Sequence, residues 1–476
     1  MRNIMNKIIS IISVAVLTLL FPACDEYYDV NTDPNRAQAV TLDVLLPATI
    51  EATSNNHYLV ASITGQFTQH LASYFVGGTD SYQETRMPLA WPGLYLAALN
   101  NLNVLVSQAT EQNAPYYAGI GKILQALNLA TATDAWGDVP FSEAFRGEQD
   151  LTPTLDSQQD IYTTLNTLLT DAIALLQQPN SALKPGADDL VYGGKTASWI
   201  KLAYALKARY SIHLTGKEQA AAIAGALAAV PLAISSNTDD FQLNYSSVNR
   251  NPWYNNVSSP ITTGNFTVGP SEQIINLMNG TYYGVIDPRL PKMFDNLGAA
   301  TYSGLVNGQG GGGNSRLSTT TWYAGATSPM LMVTFAEVKF IEAEASLLNG
   351  AAENAYNAYI AGITANLEKL GIDTAARRIY RTHPNIAVGS ANLTLEHIMK
   401  EKYIATFLNP EAWTDVRRYQ YSSTIYQGMS KPVNYNEALG GEFIRRVLYP
   451  TDEINRNGTE VTPHIQPMQA KMWWEN

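Results

Sequence analysis

Apolar residues recur at helical spacing along most of this chain, and that period limits the folds open to it more than any motif does. Between Lys195 and Leu214 they fall at Trp199, Leu202, Ala203, Leu206 and Tyr210, which places them on one face of an α-helix. Ile120, Ile123, Leu124 and Leu127 repeat the pattern within residues 115–135. A further helix is predicted from Thr334, where Thr334 and Glu337 read as a capping box and Val338, Ile341, Ala345 and Leu348 share a face. Gly350 ends it, and an alanine-rich helix from Ala351 to about Leu370 follows at once. Two helices joined by a tight turn, with Ala355 set against Tyr359, faintly resemble a tetratricopeptide unit, a match too degenerate to establish a repeat on its own. Helices are also predicted over Leu94–Ala109, Gln158–Leu176, Leu395–Phe407 and Glu411–Tyr421. The expected fold is mainly α.

Residues 240–330 break this period. They are rich in Asn, Ser, Thr, Gly, Tyr and Pro, and read as one large loop-rich insertion on the helical scaffold. The run Gly308–Gly313 has no Gly-Lys-Ser/Thr after it and no strand–helix context, so it is a flexible loop and not a phosphate cradle. No linker separates independent domains, and residues 37–476 are expected to form a single body.

The N-terminus carries a different signal. Arg2 and Lys7 precede an apolar run from Ile8 to Phe21 that is shorter than the roughly 20 residues of a membrane-spanning helix but suits a signal peptide. The run ends in Pro22-Ala23-Cys24, and Cys24 is the only cysteine of the chain. A small residue directly before a lone cysteine resembles a lipoprotein cleavage box, which would make residues 1–23 a signal and Cys24 a lipidated N-terminus. The alternative is an ordinary secretory signal with an incidental cysteine. Asp25 and Glu26 resemble the surface-export signal of Bacteroidetes lipoproteins, and residues 24–36 read as a tether. With one cysteine there is no intramolecular disulfide and no Cys-based zinc site. The net charge of −11 falls to −13 once Arg2 and Lys7 are removed, a balance that disfavours a nucleic-acid partner.

Enzyme signatures are scarce. The six histidines are scattered without metal-ligand spacing, and no metal or cofactor is expected. One carboxylate pair, Asp134 and Asp138 in DAWGDVPF, could serve a glycan hydrolase. The flanking Gly137 and Pro140 favour a sharp turn in which both aspartates bond backbone amides.

DAWGDVPF, TFAEVKFIEAEA (334–345), WTDVRR (413–418), Asp287-Pro288-Arg289-Leu290 and RRVLYP (445–450) occur in an order that resembles the SusD/RagB family. WIKLAYALKARY (199–210) is similar to that family's WxKxANxLxxR helix, and Trp473-Trp474-Glu475 to its closing aromatic pair. The resemblance implies an outer-membrane lipoprotein facing the cell exterior that captures oligosaccharide or another nutrient without catalysis. It also implies delivery to a SusC-like TonB-dependent transporter and a scaffold of tetratricopeptide-like units. The Asp415, Arg417 and Arg418 cluster, like Asp287 with Arg289, then reads as structural ion pairing. No ligand site follows from these motifs.

A sugar offers an apolar C–H face and a rim of hydroxyls, so loop aromatics beside Asn, Gln, Asp or Arg are the candidates. The chain is rich in such rings, with 27 Tyr, 12 Phe and 8 Trp. Three clusters qualify: Tyr74, Tyr82 and Trp91 around Gly77-Gly78; Trp253-Tyr254 among Asn249, Asn251, Asn255 and Asn256; and Trp322-Tyr323 after the glycine run. The competing role for these rings is to pin the insertion to the scaffold. In the related family the site forms from a loop before DAWGDVPF and loops before AEVKF, and all three clusters lie in those windows.

Replacing Cys24 with Ala is expected to leave the fold intact and release the protein from the outer membrane, since an acyl chain contributes about 0.8 kcal/mol per buried CH₂. Washed membrane fractions prepared without the transporter check this; retention of the variant there contradicts lipidation.

Overall fold

The computed structural model describes Ile4, Met5 and residues 40–475. The signal segment, Cys24 and the tether lie outside the described residues apart from those two positions. From Leu42 onward the chain forms one compact unit. Among the described residues no helix is long and apolar enough to cross a membrane.

The longest helix among the described residues, α1 (Leu42–Phe67), was not anticipated by apolar period. It buries Thr49, Thr53, Ser54, Asn56 and His57 along with its apolar residues. Thr49 and Thr53 donate to the carbonyls of Leu46 and Thr49, and the Asn56 amide donates to Gly93 O and Asn128 Oδ1. Buried polar groups satisfied in this way cost little and leave no visible stripe.

Around α1 the chain runs through α2 (Asn100–Glu111), α3 (Pro115–Trp136), α4 (Gln158–Leu176), α5 (Thr196–His213) and α6 (Gln219–Ala229), each packed on the next. A π-helical segment, Gly93–Leu99, leads into α2. The α3–α4 contact depends on Gly119, where a Cβ would meet Leu176 Cγ at 2.7 Å. Later come α7 (Glu272–Met278), α8 (Phe335–Leu348), α9 (Ala352–Lys369), α10 (Thr374–Arg381), α11 (Leu395–Ala405) and α12 (Glu411–Arg418). The Thr334 side chain caps α8 by accepting from the Glu337 amide at 3.2 Å. α8 and α9 form the expected helix–turn–helix pair, with Ala355 and Tyr359 both buried. The fold is mainly α, with tetratricopeptide-like helix pairs and an irregular stretch over 240–330 that holds α7 and short strands.

Two small antiparallel ribbons tie that stretch to the scaffold. β1 (Leu71–Ser73), just past α1, pairs with β3 (Val268–Pro270), Leu71 opposite Pro270. β2 (Phe241–Leu243) pairs with β4 (Met330–Val333), which leads directly into α8.

The sequence motifs converge on buried charge. Arg209 of α5 binds Glu337 of α8 at 2.6 Å and lies 3.6 Å from Glu411 of α12. Arg418 reaches Glu344 at 2.7 Å and Asp415 at 2.6 Å, and Lys402 binds Asp415 at 2.8 Å. Arg289 joins Asp287 and Glu401, and Lys400 binds Glu401 at 2.6 Å. Arg417 departs from the expected ion-pair cluster. It donates to the carbonyls of Asp134 and Arg445 and lies over the Trp413 ring at 3.7 Å.

Asp134 also departs from expectation. It accepts from Tyr162 Oη at 2.7 Å and Trp474 Nε1 at 3.1 Å, two side chains, not from backbone amides. Asp138 does bond a backbone amide, that of Gln158 at 2.8 Å, and contacts His464 Nδ1 at 2.8 Å. Tyr162 Oη in turn lies 2.8 Å from His213 Nδ1, and His213 Nε2 lies 2.7 Å from Glu411. Burial pushes His213 down to about 3 and Glu411 up to about 7. A protonated Glu411 can donate to the neutral His213 ring, which completes a chain from α12 through α5 and α4 to Asp134.

A carboxyl raised on folding contributes stability that is complete below its ordinary value and is lost as pH rises through the folded one. For Glu411 that window runs from 4.5 to about 7. Glu411→Gln, a permanent neutral analogue, should therefore gain stability relative to wild type between pH 5 and pH 8, by on the order of 1–3 kcal/mol. Melts of both proteins across that range test it, and parallel pH profiles contradict it.

Candidate functional site

The loop after α1 and the glycine run near residue 310 lie far apart in sequence, and one carboxylate joins them. Asp80 is buried, and its Oδ2 accepts from the amides of Ser73 at 3.0 Å and Gly308 at 2.8 Å. Burial raises its pKa while these two donors oppose the rise. Asn307 adds a second tie by donating to Leu71 O at 2.9 Å. Gly310, at φ +70°, then passes so close to the first loop that a Cβ would stand 2.5 Å from the Val76 amide nitrogen. The loops at 73–80 and 308–313 are thus clamped into one surface.

That surface carries rings. Phe75 is 61% exposed and Val76 66%. Tyr74 stands half-buried beside them, hydrogen-bonded through its backbone amide to Thr267 O at 3.2 Å. Its ring packs on Phe266 with centroids 5.3 Å apart, and Arg316 lies over Phe266 at 4.7 Å. The exposed phenyl face of Phe75 can stack on a sugar ring, while Tyr74, Phe266 and Arg316 form a separate packed group on the β3 side of the loop.

The candidate rings have different fates. Tyr82 is fully buried and its ring packs at 6.1 Å from Phe67. Trp91 is buried edge-on to Trp136 at 5.1 Å and donates to Glu453 at 3.2 Å. Trp253 is 1% exposed, edge-on to Tyr58 of α1 at 4.9 Å, and Tyr323 is buried on Phe407 at 5.3 Å. Trp253 and Tyr323 fill core between the irregular stretch and the helices, whereas Tyr82 and Trp91 pack on α1, α3 and the 443–449 segment; in all four cases the polar flanks misled, because the core is supplied from elsewhere in the chain. Tyr74, Tyr254 and Trp322 remain partly accessible. Tyr254 lies under Arg250 at 5.6 Å, and Trp322 sits edge-on to Tyr323 at 4.8 Å with its backbone amide on Lys292 O. The structure brings Tyr74 to the glycine run but not to Trp322 or Tyr254 as one cluster.

Phe75, Phe266 and Arg316 were missed. The signal for Phe75 was available: two large apolar residues directly before Gly77-Gly78 have no helix or strand period to bury them.

Trp253→Ala is expected to lower stability by about 3–5 kcal/mol, as large-to-small core changes do. Tyr254→Ala next to it should change stability by less than about 1 kcal/mol. Chemical denaturation of the two variants separates core from surface at adjacent positions, and equal losses would contradict the assignment.

Comparison with known proteins agrees with this architecture. A SusD-like family model, described as "Starch-binding associating with outer membrane", matches residues 34–450. No curated protein matches the chain. Among solved structures, a chitin-binding protein superposes with a TM-score of 0.77 at 23% identity, covering 92% of this chain and 100% of that one. A SusD homolog from Bacteroides uniformis gives 0.74 at 22% identity, covering 91% and 99%. A chitin-binding SusD homolog from Flavobacterium johnsoniae gives 0.75 at 21% identity, covering 90% and 98%. At these identities the likeness is one of fold.

Proposed function

This chain belongs to the SusD/RagB family, and on that premise we propose that it is a non-catalytic cell-surface lipoprotein that captures oligosaccharide and passes it to a SusC-like TonB-dependent transporter. The observation that carries the binding site is the exposed Phe75, held with Tyr74 on a surface that Asp80 builds from two distant loops. Glycan capture needs a rigid apolar face, and the exposed Phe75 ring on a backbone-clamped loop supports that reading. Relatives described as starch- or chitin-binding make those glycans the first probes.

The hydrolase reading finds less support. Asp134 is engaged by Tyr162 and Trp474, and Asp138 by the Gln158 amide and His464. Both carboxylates therefore serve the packing of helix ends, and neither faces the Phe75 surface through any of these bonds.

Phe75→Ala should weaken binding of maltohexaose or chitohexaose by about thirtyfold, the loss of a ~2 kcal/mol anchor, with an unchanged melting temperature. Isothermal titration paired with a melt on the same sample tests this. Unchanged affinity removes Phe75 from the site, and release of shorter sugars by the protein alone overturns the non-catalytic reading.

A further inference from the structure

Along the N-terminal half of α1 a second surface has the makings of a site. Ala48, Glu51, Ala52 and Asn55 follow the i, i+3, i+4, i+7 spacing of one helix face, and that face is left at least partly open. The 245–256 segment is fastened opposite it: Tyr245 Oη lies 2.9 Å from Ser54 Oγ, and the Asn249 amide donates to Glu51 Oε1 at 2.6 Å. The space between them is a cleft of about 450 Å³, within the ~300–1,000 Å³ range of small-ligand pockets.

Its chemistry is mixed in a specific way. Ala48, Ala52 and Pro252 offer apolar surface. Arg250 spends its Nε on Ser247 O at 3.0 Å, while its terminal nitrogens have no acceptor among the described residues. The Asn255 amide nitrogen donates to Arg250 O at 3.3 Å, which leaves its oxygen available, and the Asn55 amide has no partner among the described residues. An anionic ligand would meet Glu51 and a cationic one Arg250. A hydroxyl suits all of these groups, because it donates to Glu51 or Asn255 and accepts from Arg250 or Asn55.

We propose that the cleft between α1 and the 245–256 segment is a second saccharide site, for a neutral, hydroxyl-rich pyranose. It is separate from the Phe75 surface: from Ala52 to the end of α1 the helix rises on the order of 22 Å, and the Phe75 loop begins beyond that end. The inference rests on the glycan-binding reading for its ligand class but not on the Phe75 site.

Hydrogen–deuterium exchange of the detergent-solubilised full chain, with and without millimolar maltohexaose or chitohexaose, tests it. Slowed exchange is expected at amides 246–256 as well as at 74–78 and 308–313. Phe75→Ala should abolish protection only at 74–78 and 308–313. The double variant Asn55→Ala with Asn255→Ala, both at exposed positions, should weaken protection at 246–256 at least tenfold and leave the melting temperature unchanged. Unaltered exchange at 246–256 with both probes overturns the proposal, as does protection there that vanishes in Phe75→Ala and survives in the double variant. Protection at 246–256 without any at 74–78 or 308–313 instead upholds the cleft and removes the Phe75 surface as a site.

Discussion

Charge buried between helices is the constraint on which the rest of this fold depends. An unpaired guanidinium or carboxylate in the interior costs several kcal/mol, so each must meet its partner when the helices close. Arg209 of α5 can do so only if α8 presents Glu337 at the same level. Arg418 makes the same demand of Glu344, and Lys402 of Asp415. Apolar packing alone would tolerate a sliding helix; these pairs do not. They set the register of α5, α8, α11 and α12 against one another, which explains why the recognisable sequence blocks are rich in Arg, Asp and Glu.

The same logic, with a single carboxylate in place of a network, governs the loops. Asp80 is buried and accepts two backbone amides, one from each loop. Its hold is independent of what Phe75, Val76 or Gln309 are. The Phe75 surface is therefore fixed by backbone, and its side chains are free to suit a ligand. Gly310 adds the geometric condition, since any side chain there would drive the glycine run off the Val76 backbone.

How much of this was legible follows from where each element gets its stability. α4 was readable to its ends, Gln158–Leu176, because one apolar face and Ser157 as N-cap define it locally. The Thr334 cap of α8 was readable for the same reason. α1 was not, because it lies in the middle of the scaffold and buries Thr and Asn side chains, with Thr53 bonded to its own helix and the Asn56 amide nitrogen to Gly93 and Asn128. Trp253 and Tyr323 looked like exposed rings among Asn and Gly. The residues that bury them, Tyr58 and Phe407, are distant in sequence and invisible to a local window. Composition around a ring reports its neighbours in the chain, whereas burial depends on neighbours in space.

The arrangement also bears on how a polymer would be held. A ligand that is itself a chain gains from two weak contacts when the groups making them are rigidly spaced, because the second contact forms at a high effective concentration and costs little further freedom. α1 supplies that spacing. It is buried along most of its length, and it carries the Ser54 and Glu51 anchors of the cleft near its middle and leads into β1 and the Phe75 loop at its C-terminal end. A flexible linker of equal length would lose most of the benefit through its own entropy. The helix that hides its period by burying polar groups is thus also the element best placed to fix the distance between two saccharide contacts.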